Sequence, residues 1–218
     1  MGSPTPIITF NGNSITRGDG AVIGVSDYPT QTVALLSGTW NKQNFGVSGH
    51  VSTAVIATAL TQSDPLIGAT CGNINFGWTG TNDINQGSSA AQIYAWIKQY
   101  GYARKAKGWK TIIFTILPAN WIVGQATGEA VRNSVNASLM ADFTRASGYS
   151  NIWLPADPGS PLNYADAIIN IAADSRMGDD GDQNDTAYYA DGIHPNATGY
   201  GIIASYAANA VLLFLRSY

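Results

Sequence analysis

Five residues spread along the chain are of the types that acyl transfer requires: Ser14, Gly49, Asn82, Asp191 and His194. Ser14 follows the apolar run Ile7-Ile8-Thr9-Phe10 and the polar turn Asn11-Gly12-Asn13. A buried strand that ends in such a turn delivers a hydroxyl to the edge of a sheet. That hydroxyl is a weak nucleophile until a neighbouring base takes its proton. The chain has only two histidines, His50 and His194. His194 stands in Asp191-Gly192-Ile193-His194-Pro195. A carboxylate three residues before an imidazole can accept its Nδ1–H, fix the tautomer and leave Nε2 free to take a proton. Read alone, Asp-x-x-His is equally a solvated turn. His50 has no acid nearby in sequence and reads as a polar residue opening a helix.

Attack on an ester carbonyl builds negative charge on oxygen. Donors already aimed at that position are worth about 3–4 kcal/mol each on removal. Gly49 can present its N–H without side-chain hindrance, Asn82 can offer its side-chain amide, and the N–H of Ser14 is a third donor. Each glycine or asparagine by itself is an ordinary turn residue; the joint pattern carries the weight.

These residues must be held by an alternating scaffold. Strands are expected at Pro6–Phe10, Thr39–Phe45, Ala69–Trp78, Lys110–Leu117 and Asn151–Leu154. Helical patterns fall at Thr30–Leu36, Val51–Leu60, Ser88–Lys107, Gly128–Ala146, Tyr164–Ala173 and Asn196–Leu215, with an acidic loop over Asp174–Asp185. Lys110–Leu117 is apolar nearly throughout, as a strand buried on both faces should be. The alternation predicts a single α/β domain over residues 1–218 with a mainly parallel sheet between helices. In such sheets function gathers at the carboxyl ends of the strands. The turns carrying Ser14, Gly49 and Asn82 should therefore be neighbours.

Composition narrows the partners. Only 11% of the 218 residues are charged, against about 25% in ordinary soluble domains. A neutral surface rich in hydroxyls and amides suits a secreted or virion-borne protein. The net charge of −3 and the lack of a basic stripe disfavour nucleic acid. Lys98, Arg104, Lys105, Lys107 and Lys110 read as a solvated helix end. The single cysteine, Cys71, rules out an internal disulfide and reads as a small buried apolar residue. The first six residues do not read as a signal peptide, and no apolar run approaches membrane-spanning length.

Four blocks in order, Gly12-Asn13-Ser14-Ile15-Thr16, Gly46-Val47-Ser48-Gly49, Gly80-Thr81-Asn82-Asp83 and Asp191-Gly192-Ile193-His194-Pro195, make the sequence resemble the SGNH hydrolase superfamily, the GDSL-type esterases and lipases. The resemblance spans nearly the whole chain. It implies a flavodoxin-like three-layer α/β/α sandwich with about five parallel strands. It implies Ser14 as nucleophile, His194 as base, Asp191 as its orienting acid, and Ser14, Gly49 and Asn82 as the oxyanion hole, with no cofactor and no metal. One letter departs from the family pattern: Asn13 stands where aspartate is usual. Asparagine has nearly the same shape, keeps one acceptor and gains donors.

Competing constellations are weaker. Gly46-Val47-Ser48-Gly49-His50 nearly makes the elbow of an α/β-hydrolase, with Ser48 as nucleophile, but its last glycine is misplaced. The aspartates at 174, 179, 180, 182 and 185 lack the spacing of a calcium loop. The expected activity is a metal-independent serine esterase acting on short-chain or carbohydrate O-acetyl esters. Trp78, Trp121, Tyr188 and Tyr189 would then stand at its rim. A lipase or thioesterase, and a non-catalytic carbohydrate-binding or virion module with a vestigial site, are the alternatives; Asn13 is the only support for the last.

Overall fold

The computed structural model describes residues 5–68 and 72–215; Cys71 lies outside them. The apolar run at the start of the chain forms β1 (Ile7–Gly12), which leads into the one-turn α1 (Ser14–Arg17). Next come α2 (Tyr28–Ala34), β2 (Asn41–Gly46), α3 (Ser52–Thr58), β3 (Ile74–Trp78), α4 (Thr81–Asn85) and α5 (Ala90–Ala106). The chain continues with β4 (Lys110–Phe114), α6 (Gln125–Met140), β5 (Phe143–Arg145), β6 (Ile152–Pro155), β7 (Ala167–Ile169) and α7 (Ala197–Leu215). The seven-stranded sheet has the order β2-β1-β3-β4-β7-β6-β5. The first five in that order are parallel, and β6 and β5 pair antiparallel at the far edge. Helices cover both faces, so the fold is a three-layer α/β/α sandwich.

Side chains alternate sharply across the sheet, as a pleat requires. On one face Ile8, Phe10, Ile74, Phe76, Trp78, Ile112 and Phe114 join Tyr28 and α7 in an aromatic core. Phe10 stacks on Phe76 with centroids 4.9 Å apart, and Trp78 stacks on Phe114 at 4.6 Å. On the other face α3, α5 and α6 supply Val55, Ile93, Ile97, Val135 and Leu139. That face also holds a buried polar ladder. The Asn75 amide donates to Thr9 Oγ1 at 2.7 Å, Ser63 Oγ donates to Asn11 Oδ1 at 2.7 Å, and the Tyr100 hydroxyl donates to Asn75.

Several expectations need correction. Tyr164–Ala173 is not a helix: it holds β7, an inner parallel strand, and a 3-10 turn at Ile171–Ala173. A short apolar run without turn signals has no period that separates helix from strand. The strand at 151–154 exists but runs antiparallel, so β7 is the fifth parallel strand. The helix expected to reach Ala146 stops at Met140, and β5 follows. Arg104 is no solvated helix end. It is 1% exposed, pairs with Asp64 at 2.8 Å and lies over the Tyr100 ring. Burial pushes the Asp64 carboxyl up, against the pull of Arg104. Finally, α7 does have the length and apolarity of a membrane span, with 19 residues and mean hydropathy 1.5. Half of it is buried against the sheet and α2, including Tyr200, Ile203, Ala207 and Val211.

Candidate active site

The turn after β1 is held by its own polar residues. Asn13 is the N-cap of α1, and its Oδ1 accepts the Ile15 N–H at 3.0 Å. This is the standard use of an Asx side chain before a helix. Gly12 is required by close approach, because a Cβ there would stand 2.1 Å from Thr16 Oγ1 and 2.5 Å from the Trp78 carbonyl. Ser14 is the first residue of α1, so its N–H has no intrahelical partner. Its side chain is nearly buried.

Asp191 and His194 sit in a loop closed by an antiparallel bridge between Tyr189 and Pro195. The Ala190 N–H donates to the His194 carbonyl at 2.8 Å, and the buried Tyr189 hydroxyl donates to the Met177 carbonyl at 2.6 Å. Asp191 Oδ1 accepts the backbone N–H groups of Ile193 at 3.1 Å and His194 at 2.8 Å. The imidazole continues the row: Nδ1 lies 2.8 Å from Asp191 Oδ2, and Nε2 lies 2.8 Å from Ser14 Oγ. An Nδ1–H given to the carboxylate leaves Nε2 as the acceptor for the serine hydroxyl. Burial alone would raise the Asp191 carboxyl, but the His194 ring and the two backbone donors outweigh it and hold it below the usual range. Two more contacts brace this loop. Gly20, with φ +92°, packs so close that a Cβ would meet the Pro195 carbonyl at 2.6 Å and His194 Cβ at 2.9 Å. Asn196 Oδ1 accepts from Thr198 and Gly199 at the start of α7, anchoring the helix that follows.

Strand register sets the remaining positions. Gly12 lies level with Gly46 on one side and Trp78 on the other, so the turns after β1, β2 and β3 leave the sheet together. Gly49 is exposed in the turn after β2, with φ +82°. Asn82 is in the first turn of α4, and its amide donates to the His50 carbonyl at 2.9 Å. One amide hydrogen of Asn82 is thus fixed and the other remains to be given. His50 does not open α3, which begins at Ser52; its backbone oxygen is what holds Asn82.

Sequence reasoning left Ser52 without a role and Asp83 without a partner. The Ser52 N–H reaches both Asp83 carboxylate oxygens at 3.0 Å, and Ser52 Oγ donates to Oδ2 at 2.9 Å. This clamp ties the loop of Gly49 to the turn of Asn82. Burial pushes the Asp83 carboxyl up, and the Ser52 donors resist it. Only the position of Asp83 beside Asn82 hinted at such a link. Ser48 is not set up as an elbow nucleophile: its hydroxyl donates to Asp19 at 2.5 Å and accepts from Arg17 at 2.8 Å. The expected aromatic rim is largely absent, since Trp78, Trp121 and Tyr189 are buried. Among the described residues no group of three or more His, Cys, Asp or Glu gathers as a metal site would.

No family model matches the chain, and no curated protein matches it. Solved structures do share its fold. A lipolytic protein of the G-D-S-L family from Veillonella parvula is similar at 20% identity with TM-score 0.65, covering 94% of this chain and 97% of that one. A GDSL-like lipase from Bacteroides thetaiotaomicron is similar at 17% identity with TM-score 0.66, covering 97% and 91%. The psychrotrophic esterase EstA from a Pseudoalteromonas species is similar at 13% identity with TM-score 0.65, covering 96% and 98%.

Proposed function

We propose that the chain hydrolyses carboxylic esters through an acyl-enzyme intermediate. The observation that carries this reading is the row from Asp191 through His194 to Ser14, with both links at 2.8 Å. Ser14 Oγ attacks the carbonyl carbon while His194 Nε2 takes its proton. The tetrahedral oxyanion rests on the N–H groups of Ser14 and Gly49 and on the amide of Asn82. The C–O bond to the alcohol breaks, and His194 returns the proton to the leaving oxygen. Water, deprotonated by the same imidazole, then attacks the acyl carbon and frees the acid and Ser14.

The acyl group is short in this reading. The exposed apolar residues close to the site in sequence are few: Val22, Ile23 and Val25 on the loop after Gly20, and Val47 before Gly49. A carbohydrate O-acetyl ester fits the neutral surface, and with Trp78, Trp121 and Tyr189 buried and Tyr188 half-buried, recognition of a sugar rests mainly on polar groups. A long-chain or lipid ester is the second reading, favoured by the exposure of Val22, Ile23 and Val25 on one loop.

The test is hydrolysis of p-nitrophenyl esters of increasing acyl length by the wild-type chain and by Ser14→Ala. Activity should fall by roughly 10⁴–10⁶ in the variant. An inactive wild type, or an equally active variant, overturns the esterase reading. Rates that rise toward long acyl groups select the second substrate class. The Pseudoalteromonas esterase is inhibited by monoethylphosphonate. The same class of electrophile should add one covalent phosphonyl group to the wild type and none to Ser14→Ala.

A further inference from the structure

We infer that the cleft beside Asp191 is a subsite for the alcohol part of the ester, and that it takes a neutral polyhydroxylated group of about one sugar ring. The inference rests on the esterase reading for its link to catalysis. The cleft has a volume of 230 Å³ and is lined by Asn120, Gln183, Asn184 and Thr186 and by the stretch Tyr189-Ala190-Asp191-Gly192, in which the Tyr189 hydroxyl is already given to the Met177 carbonyl. It shares Asp191 with the catalytic row. Its wall is fixed to that row where the Asn120 N–H donates to the Gly192 carbonyl at 2.9 Å.

Location follows from the proton's path. His194 must hand its proton to the departing alkoxide, so the alcohol has to lie on the histidine side of Ser14. The cleft opens on the same loop. Asn120 follows β4, on the far side of β3 from β1, so the cleft lies away from the Gly49 turn after β2.

Chemistry follows from the lining. Its side-chain amides and hydroxyl each carry both donors and acceptors, which is what sugar hydroxyls need. No lysine or arginine lines it, so an anion finds no countercharge. The one lining carboxylate, Asp191, is already bonded to His194. The amides are partly ordered in advance: Asn120 Nδ2 donates to Asn184 Oδ1 at 3.2 Å. Gln183 is 2% exposed, and among the described residues its Nε2 has only long partners, Asn120 Oδ1 at 3.4 Å and Asp180 Oδ1 at 3.5 Å. A buried donor so poorly served gains from a ligand hydroxyl. The volume is below the roughly 300–1,000 Å³ of sites that enclose drug-sized ligands, which suits one ring.

The matched probes are a methyl glucopyranoside acetylated at its primary hydroxyl and cyclohexylmethyl acetate, which has the ring without the hydroxyls. The wild type should prefer the sugar ester in kcat/KM. Asn184→Ala, an exposed position that folding tolerates, should cut that preference by roughly three- to tenfold, chiefly through KM. Binding of unacetylated methyl glucopyranoside to Ser14→Ala, followed by saturation-transfer NMR, reads the cleft without catalysis and should be lost with Asn184→Ala added. If p-nitrophenyl acetate is cleaved but neither preference nor binding is seen, the cleft inference is overturned. If the sugar binds at Asn184 and no ester is cleaved, the cleft holds as a sugar site and the esterase reading fails.

Discussion

On the side of the sheet covered by α2 and α7, β1, β3 and β4 present Ile8, Phe10, Phe76, Trp78 and Phe114; on the side covered by α3, α5 and α6, β1 and β3 present Thr9, Asn11 and Asn75. The aromatic side roots Ser14 and His194, since Ile15 of α1 and Tyr200 of α7 belong to that core. The polar side roots the turns of Gly49 and Asn82, since Val55 of α3 and Ile84 of α4 pack there. The two halves of the candidate site are therefore mounted on different layers and meet only at the strand ends. The difference also guards register. A one-residue slip of β1 would turn Thr9 and Asn11 into the aromatic layer and lose their partners.

Breaking each half separately should have different signatures. The largest effect is expected on the aromatic side. Asp191→Asn should lower kcat by roughly 10²–10⁴ through loss of the imidazole's orientation, measured with a short p-nitrophenyl ester. Because the Asp191 carboxyl is held below its usual range, the stability it contributes is present at neutral pH. That stability is lost only as the pH falls below the ordinary carboxyl value and through the lowered one. Acid melts of the wild type and Asp191→Asn should accordingly converge at low pH.

On the polar side, Asn82→Ala removes a donor without touching the Ser14–His194 contact. It should lower kcat by about 10²–10³ and leave the melting temperature nearly unchanged. Weaker still is the clamp behind it. Ser52→Ala should slow kcat by roughly tenfold through drift of the Asn82 turn, and cost about 2 kcal/mol of stability from a lost bond to a carboxylate. The Asp83 carboxyl is raised by burial, so the native state holds its proton more tightly than the unfolded chain does, and stability falls as the pH rises through that window. Losing Ser52 Oγ widens the window, so the deficit should be larger at pH 7 than at pH 4 by chemical denaturation.

The smallest change is expected at the odd letter of the nucleophile block. Asn13 already caps α1 through its oxygen, and aspartate would accept the same N–H. Asn13→Asp should therefore alter kcat/KM by less than about threefold. A rise of a hundredfold would mean that the amide weakens the site and that the aromatic side carries a defect the geometry hides.

Much of the scaffold could be read from local pattern. β1, α5, β4 and α7 lie close to where alternation and helical periodicity place them, because those periods are properties of the backbone itself. β7 could not be read. Ala167-Ile168-Ile169 is too short to show a period, and burial on both faces removes the polar residues that would mark one. Arg104 misled for a similar reason: a cation near a helix C-terminus looks solvated until a distant aspartate is known to meet it.

At the candidate site the chain alone determined residue types and their local turns: a serine after a strand, a carboxylate three residues before a histidine, and a glycine and an asparagine in later turns. Spacing along the backbone is enough for these, since an Asx side chain and a nearby amide meet whatever lies elsewhere. Tertiary structure decided which turns are neighbours. Strand order β2-β1-β3 and a level register at Gly46, Gly12 and Trp78 bring the turns that carry Gly49, Ser14 and Asn82 out at the same end of the sheet. The fold also buried the aromatics expected at the rim, joined Ser52 to Asp83 and opened the amide-lined cleft next to Asp191. Each of these depends on contacts between residues far apart in sequence, and such contacts are fixed by packing against the sheet rather than by any local preference of the chain.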